Sequence, residues 1–238
     1  MLKLNSAESA YMLEWRSSQK LPDSLRTGEQ LQFQGSVYGS GNQLDKMVYY
    51  YERAAQKDPK MQGMTGYNFL NELRDPVMAL RWFEAFDART PSFDDISAND
   101  PISYRKGLAY AMLGNHTEAV QQFDKGIGGI EQKHGAEWVN YRFFVARAIS
   151  HLALKQPDCA LDDLAKALKN YDRSAIARFY QGAAYQQMGR LAEATEAYND
   201  TRFRMQYIRY QQQGQYNEGL MYDLYEGQID DALNALKP

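Results

Sequence analysis

Residues 178–201 read RFYQGAAYQQMGRLAEATEAYNDT, and their spacing decides the architecture. A small residue, Gly182, is followed three positions on by a ring, Tyr185, and nine beyond that by a second small residue, Ala194. The same order recurs at Gly107/Tyr110/Ala119 and Ala148/His151/Ala160. Around Leu113-Gly114-Asn115, apolar residues return with helical spacing at Leu108 and Met112, then at Val120, Phe123 and Ile127. The copy over 144–168 repeats this with Leu164, Ala167 and Leu168, and the copy over 178–201 with Tyr198 after the break at Met188-Gly189. Each copy therefore reads as two helices joined by a tight turn. The small residues fall where the helices cross, because axes near the low end of about 8–10 Å leave no room for larger side chains. Tyr110 and Phe123 fill the space above and below that crossing.

At these residues the chain resembles the tetratricopeptide repeat family, whose unit of about 34 residues carries small residues at its eighth and twentieth positions. Ala119, Ala160 and Ala194 then occupy twentieth positions, separated by 41 and 34 residues. Seven extra residues are about two helical turns, which predicts lengthened helices between Gly128-Gly129 and Gly135. Weaker copies lie upstream. Gly35, Tyr38, Met47, Tyr51, Ala54 and Pro59 fit one unit, with Met47 in a small-residue position and so expected to push its helices apart. Ala79, Phe83 and Pro91 fit another, with Tyr67 where Gly or Ala belongs. The resemblance implies an all-α fold, a right-handed superhelix of antiparallel helix pairs. The expected division is an N-terminal helix and linker over 1–26 and an array over 27–238. Within the array the units run 28–59, 60–93, 100–135, 137–172 and 174–212, with a short hairpin over 215–238.

Helix punctuation supports this segmentation independently. Asp75-Pro76 and Asp100-Pro101 each place an N-cap acceptor before a proline at the first helical position. Asn5 with Glu8 and Thr27 with Gln30 have capping-box spacing, predicting helix starts near Ser6 and Gly28. No sustained period-two alternation occurs, so no sheet is expected.

Composition fits a globular array: 44% hydrophobic and 24% charged over 238 residues. Mean hydropathy is -0.64, and no apolar run approaches the roughly 18 residues a membrane span requires, so no membrane insertion is expected. Residues 1–18 lack the apolar stretch of a secretory signal, which makes the cytoplasm the expected compartment. A net charge of -3 opposes nucleic-acid binding, which needs a basic face. Arg202, Arg204 and Arg209 interleave with Phe203, Tyr207 and Tyr210, a pattern able to stack bases but expected here to be a solvated helix face. Of the three consecutive rings Tyr49-Tyr50-Tyr51, at least one should be exposed, since they face three directions on a helix.

The catalytic inventory is thin. His116, His134 and His151 are isolated, and no cysteine pair accompanies them, so neither a metal nor a cofactor is expected. His151 should be a packed, hydrogen-bonded ring and Cys159 an inert thiol. The adjacent acids Asp94-Asp95, Asp162-Asp163 and Asp230-Asp231 point about 100° apart on a helix and read as solvated or helix-start charges. Gly126-Ile127-Gly128-Gly129 follows a helix instead of a strand, lacks a Lys-Ser/Thr sequel, and reads as a helix ending. A catalytic site would have to lie in the irregular stretches 17–41 or 92–100, and no enzymatic activity is expected.

The resemblance also implies a concave surface lined by the second, fifth, ninth, twelfth and thirteenth positions of the first helices. Carried over, these are Tyr104, Leu108 and Met112, then Arg142, Val145, Ile149 and Leu152, then Ile176, Phe179, Gln186 and Gln187. The family's clamps for chaperone C-termini carry Lys and Asn at the fifth and ninth positions. Here those positions hold Tyr104/Leu108, Val145/Ile149 and Phe179/Ala183, which points to a protein or peptide ligand with an apolar face. The expected function is a noncatalytic interaction module, as an adaptor, chaperone or immunity-type protein. Two other arrangements compete with an open groove. The chain's own N-terminal helix, with Ala7, Tyr11, Met12 and Trp15 on one side, fills it; or the alternative function holds, a self-assembling structural protein whose Ile229, Leu233 and Leu236 at the far end form a homodimer.

Overall fold

The computed structural model describes residues 20–211 and 224–237, the side chains of 208–211 excepted. The helix start near Ser6, the N-terminal cap and the first half of the 215–238 hairpin lie outside them. The chain packs as two compact units, Met1–Asn99 and Asp100–Pro238.

In the first unit, α1 (Gly28–Ser40) pairs with α2 (Leu44–Lys57), and α3 (Gln62–Asn71) with α4 (Pro76–Asp87). The Thr27/Gln30 capping box forms and starts α1 at Gly28. The Asp75 carboxylate caps Met78 N with Pro76 in the first turn of α4, as its sequence predicts. Met47 does not wedge the helices apart. Glycines on α1 admit it: a Cβ at Gly39 would lie 2.8 Å from Met47 Sδ, and one at Gly35 would lie 2.4 Å from the Tyr51 ring. In the next hairpin the small crossing residue is Gly66, one position before Tyr67, and its Cβ would meet Phe83 at 2.6 Å. The turn from Gly66 to Ala79 is one residue longer than in the other units, which hides this register in the sequence. Tyr51 is fully buried, Tyr50 half-buried and Tyr49 exposed, so the triplet does face three ways.

The second unit holds α5 (Ile102–Met112), α6 (His116–His134), α7 (Tyr141–Ala153), α8 (Pro157–Asn170), α9 (Ala175–Gln187), α10 (Leu191–Gln211) and α11 (Glu226–Ala235). The hairpins α5/α6, α7/α8 and α9/α10 carry the repeat, and α7 and α9 pack on the preceding hairpins. Extended structure among the described residues is confined to β1 (Ile96–Ser97) and β2 (Asp100–Pro101). Asp100-Pro101 thus precedes the helix, which begins at Ile102 without a side-chain cap. The Asp100 carboxylate is instead held by Arg105, Nη2–Oδ2 2.5 Å.

Each hairpin turns through one residue in the left-handed region: Asn42, Arg74, Gly114, Lys155 and Gly189. At Gly114, Asn115 N–H donates to the Tyr110 carbonyl, and the same bond joins Arg190 to Tyr185 and Gln156 to His151, closing each helix on its last carbonyls. Gly126–Gly129 is not a helix ending. Gly126 is buried where a Cβ would meet Ser103 Oγ at 2.6 Å, while Ile127 keeps the apolar face, and α6 runs on to Gly135 at φ 100°. The extra residues are spent on this lengthened helix and a 3-10 turn, Ala136–Trp138; the carbonyls of Ala136 and of Val139 just after the turn accept from Asn170 Nδ2 at 2.8 Å.

Asp163 is not a solvated charge. It is 3% exposed and receives a bidentate pair from Arg147, Nε–Oδ2 2.8 Å and Nη2–Oδ1 2.6 Å. Arg147 Nη1 reaches Asp124 Oδ1 at 2.6 Å, so one guanidinium on α7 joins α6 and α8. Burial works against its charge, yet the bonds to Asp163 and Asp124 hold its pKa above the ordinary value. Half-buried His151 donates from Nδ1 to Gln156 Oε1 at 2.8 Å, with Nε2 3.9 Å from Asp163.

Candidate binding face

The first helices α5, α7 and α9 supply every residue that the repeat frame assigns to a binding surface. Tyr104 is nearly buried and stacks on Phe143, ring centroids 3.8 Å apart at 21°, which ties α5 to α7. It also tilts onto Phe123 at 5.8 Å. Leu108, Val145, Leu152 and Ile176 are buried and form part of the core. Ile149 and Phe179 are half-buried, and Met112 is exposed. Phe179 packs edge-on against Tyr180 and tilted against Tyr198, both at 5.4 Å, so its ring is held by two others.

The two glutamines serve the fold. Gln186 Oε1 accepts from the Tyr198 hydroxyl at 2.8 Å. Exposed Gln187 donates from Nε2 to the Leu152 carbonyl at 3.1 Å, satisfying a carbonyl at the end of α7. Arg142 is half-buried, and its Nε is buried with no acceptor among the described residues. It shares the start of this face with Asp100, whose carboxyl burial pushes above its usual range although Arg105 and Arg142 pull it down.

Other candidate residues fall elsewhere. Cys159 is exposed. Arg202 pairs with Asp230 at the surface, its side chain 40% exposed, and Arg204 bonds Asp200 at 2.9 Å and the Asp172 carbonyl. The side chains of Arg209 and Tyr210 lie outside the described residues. At the far end Ile229 is fully buried, while Leu233 and Leu236 stay half-buried. Trp138, 71% exposed on the turn that Asn170 clamps, is a surface ring that repeat reasoning does not single out.

The family model described as tetratricopeptide repeat matches residues 145–205, which span α7 to α10. Residues 145–205 carry tetratricopeptide repeats. A tetratricopeptide repeat protein from Parabacteroides merdae is 13% identical, with a TM-score of 0.56 over 96% of this chain and 77% of that one. The MamA protein superposes with a TM-score of 0.60 at 13% identity, covering 80% of this chain and 97% of its own. PilW, a widely conserved type IV pilus biogenesis factor, gives 0.61 at 13% identity, covering 89% and 91%. Comparison with curated protein sequences finds no match. At this identity the tetratricopeptide likeness is one of fold. No helix among the described residues is long and apolar enough to cross a membrane.

Proposed function

We propose that the chain is a noncatalytic protein-interaction module that takes a peptide or helix with an apolar face on the surface of α5, α7 and α9. Service as a dedicated adaptor, chaperone or immunity-type protein belongs to this reading. The observation that supports it is that Met112, Ile149 and Phe179, one on each successive first helix, are left partly open while Leu108, Val145, Leu152 and Ile176 are buried. Rigidly held rings and aliphatic side chains of this kind are the usual anchors of a binding surface. Tyr104 carries the packing of α5 on α7, so the informative variant is Ile149→Asp, which places a charge on the half-open face. Proteins retained by immobilised wild type and lost on Ile149→Asp, with helicity and melting intact, are the expected result. Equal retention by both would sink the reading.

A further inference from the structure

Ile149 on α7 and Phe179 on α9, both half-buried, are each followed one turn later by an alanine, Ala153 exposed and Ala183 half-buried. Both helices thus set a large side chain beside a gap. Gaps of this kind admit the ridge of a second helix, whose axis then approaches to about 8–10 Å. The face is also bare of polarity along its length: Leu108, Val145, Ile149, Leu152, Phe179 and Ala183 carry no charge, no donor and no acceptor in their side chains. Polar side chains stand at its margins, Arg142 in the first turn of α7 and Gln186 and Gln187 in the last turn of α9, where both glutamines bond within the fold. An extended partner laid across the apolar positions would take backbone N–H and C=O groups out of water with nothing to receive them. A helix arrives with those groups already bonded to one another.

We propose that the partner binds as an amphipathic α-helix, its apolar stripe packed on α7 and α9 with side chains seated in the gaps at Ala153 and Ala183. This deepens, and rests on, the reading of the α5/α7/α9 face as the binding surface. Charge complementarity commits to the same occupant. A face without charge between its margins is matched by a stripe free of Asp, Glu, Lys and Arg, and on a helix such a stripe recurs every three to four residues with the charges held on the opposite side.

The test is selection of displayed random peptides of about 18 residues, five helical turns, on the immobilised full chain, followed by substitutions in one amidated winner. Winners should repeat apolar residues every three to four positions. Proline at a central position outside the stripe should weaken the winner tenfold or more, while alanine at the same position leaves it unchanged. Ala153→Gln and Ala183→Gln, which fill the gaps, should each weaken binding tenfold or more with melting intact; Ala153 is exposed, so its variant keeps the test readable if the other fails to fold. Winners that alternate apolar and polar residues, winners that tolerate the proline, or equal binding by wild type and both alanine variants would each overturn the helix. If those winners are still lost on Ile149→Asp, the binding-face reading stands without it. Winners that bind Ile149→Asp as tightly as wild type overturn both, as do no winners at all, the outcome if the chain's own N-terminal segment or a second copy holds the face.

Discussion

At the residue scale the repeat is a matched pair of volumes. Glycine at the eighth position faces a ring on the second helix in four hairpins: Gly35/Tyr51, Gly66/Phe83, Gly107/Phe123 and Gly182/Tyr198, with an added Cβ 2.4–2.6 Å from the ring. Where the small residue is Ala148, the matching residue of the frame is Leu164, also fully buried. Gly182→Leu and Ala160→Phe should therefore each lower stability by several kcal/mol, at or beyond the usual overpacking cost of about 1–3 kcal/mol. Urea unfolding measures this, and near-normal midpoints for both variants would show the crossings misplaced. The turns give a prediction of opposite sign. Lys155 sits at φ 60°, where Gly114 and Gly189 stand in the neighbouring hairpins. Relieving its Cβ by Lys155→Gly should raise stability by about 0.5–1 kcal/mol, the left-handed penalty less the added entropy of glycine. A drop in thermal midpoint would contradict it.

At the element scale, helices were legible in the sequence where the signal is local. Thr27, Asp75, Gly114 and Gly189 mark their own helix ends, and the structure uses them so. Signals that depend on a partner helix were not. Asp163 looks like its neighbour Asp162 until Arg147, sixteen residues earlier on the facing helix, is placed against it. Asp100 resembled an N-cap because nothing in the local sequence reveals its pairing with Arg105. Gly126 resembled a helix stop because the close approach of Ser103 is a tertiary fact. The Arg147 node yields a test of how three helices are held. Asp163→Ala leaves a buried guanidinium with its main partner gone, and should cost about 3–5 kcal/mol. The double change Arg147→Met with Asp163→Leu should recover most of that loss, since an apolar pair of similar volume restores packing without the charge. If Asp163→Ala melts like wild type, the pair is not a structural tie.

At the scale of the molecule, the repeat frame named the first helices α5, α7 and α9 but not how much of each residue stays open. The frame counts positions along one helix, whereas exposure depends on what the next hairpin covers. Val145 and Ile149 are equivalent by counting, yet one is fully buried and the other half-open. The same burial makes overall stability sensitive to alkali, because both units close over tyrosines. Burial raises the Tyr51 hydroxyl in the first unit, which Glu72 raises further by accepting its hydrogen bond at 2.9 Å. Burial likewise pushes Tyr198 in the second unit up to about 12. An unfolded tyrosine releases its proton near pH 10, while folded Tyr198 keeps it to about 12. Between those values the native state binds more protons than the unfolded state, so stability is fully present below about pH 10 and falls as pH rises through that window. Denaturant unfolding at stepped pH, followed alongside tyrosinate absorbance, should show that decline, with the late-ionising tyrosines titrating as the chain unfolds. Tyr198→Phe should cost about 1 kcal/mol at neutral pH through the lost bond to Gln186, yet lessen the alkaline decline. A stability that stays flat across the window in wild type would show that these hydroxyls are not held protonated by the fold.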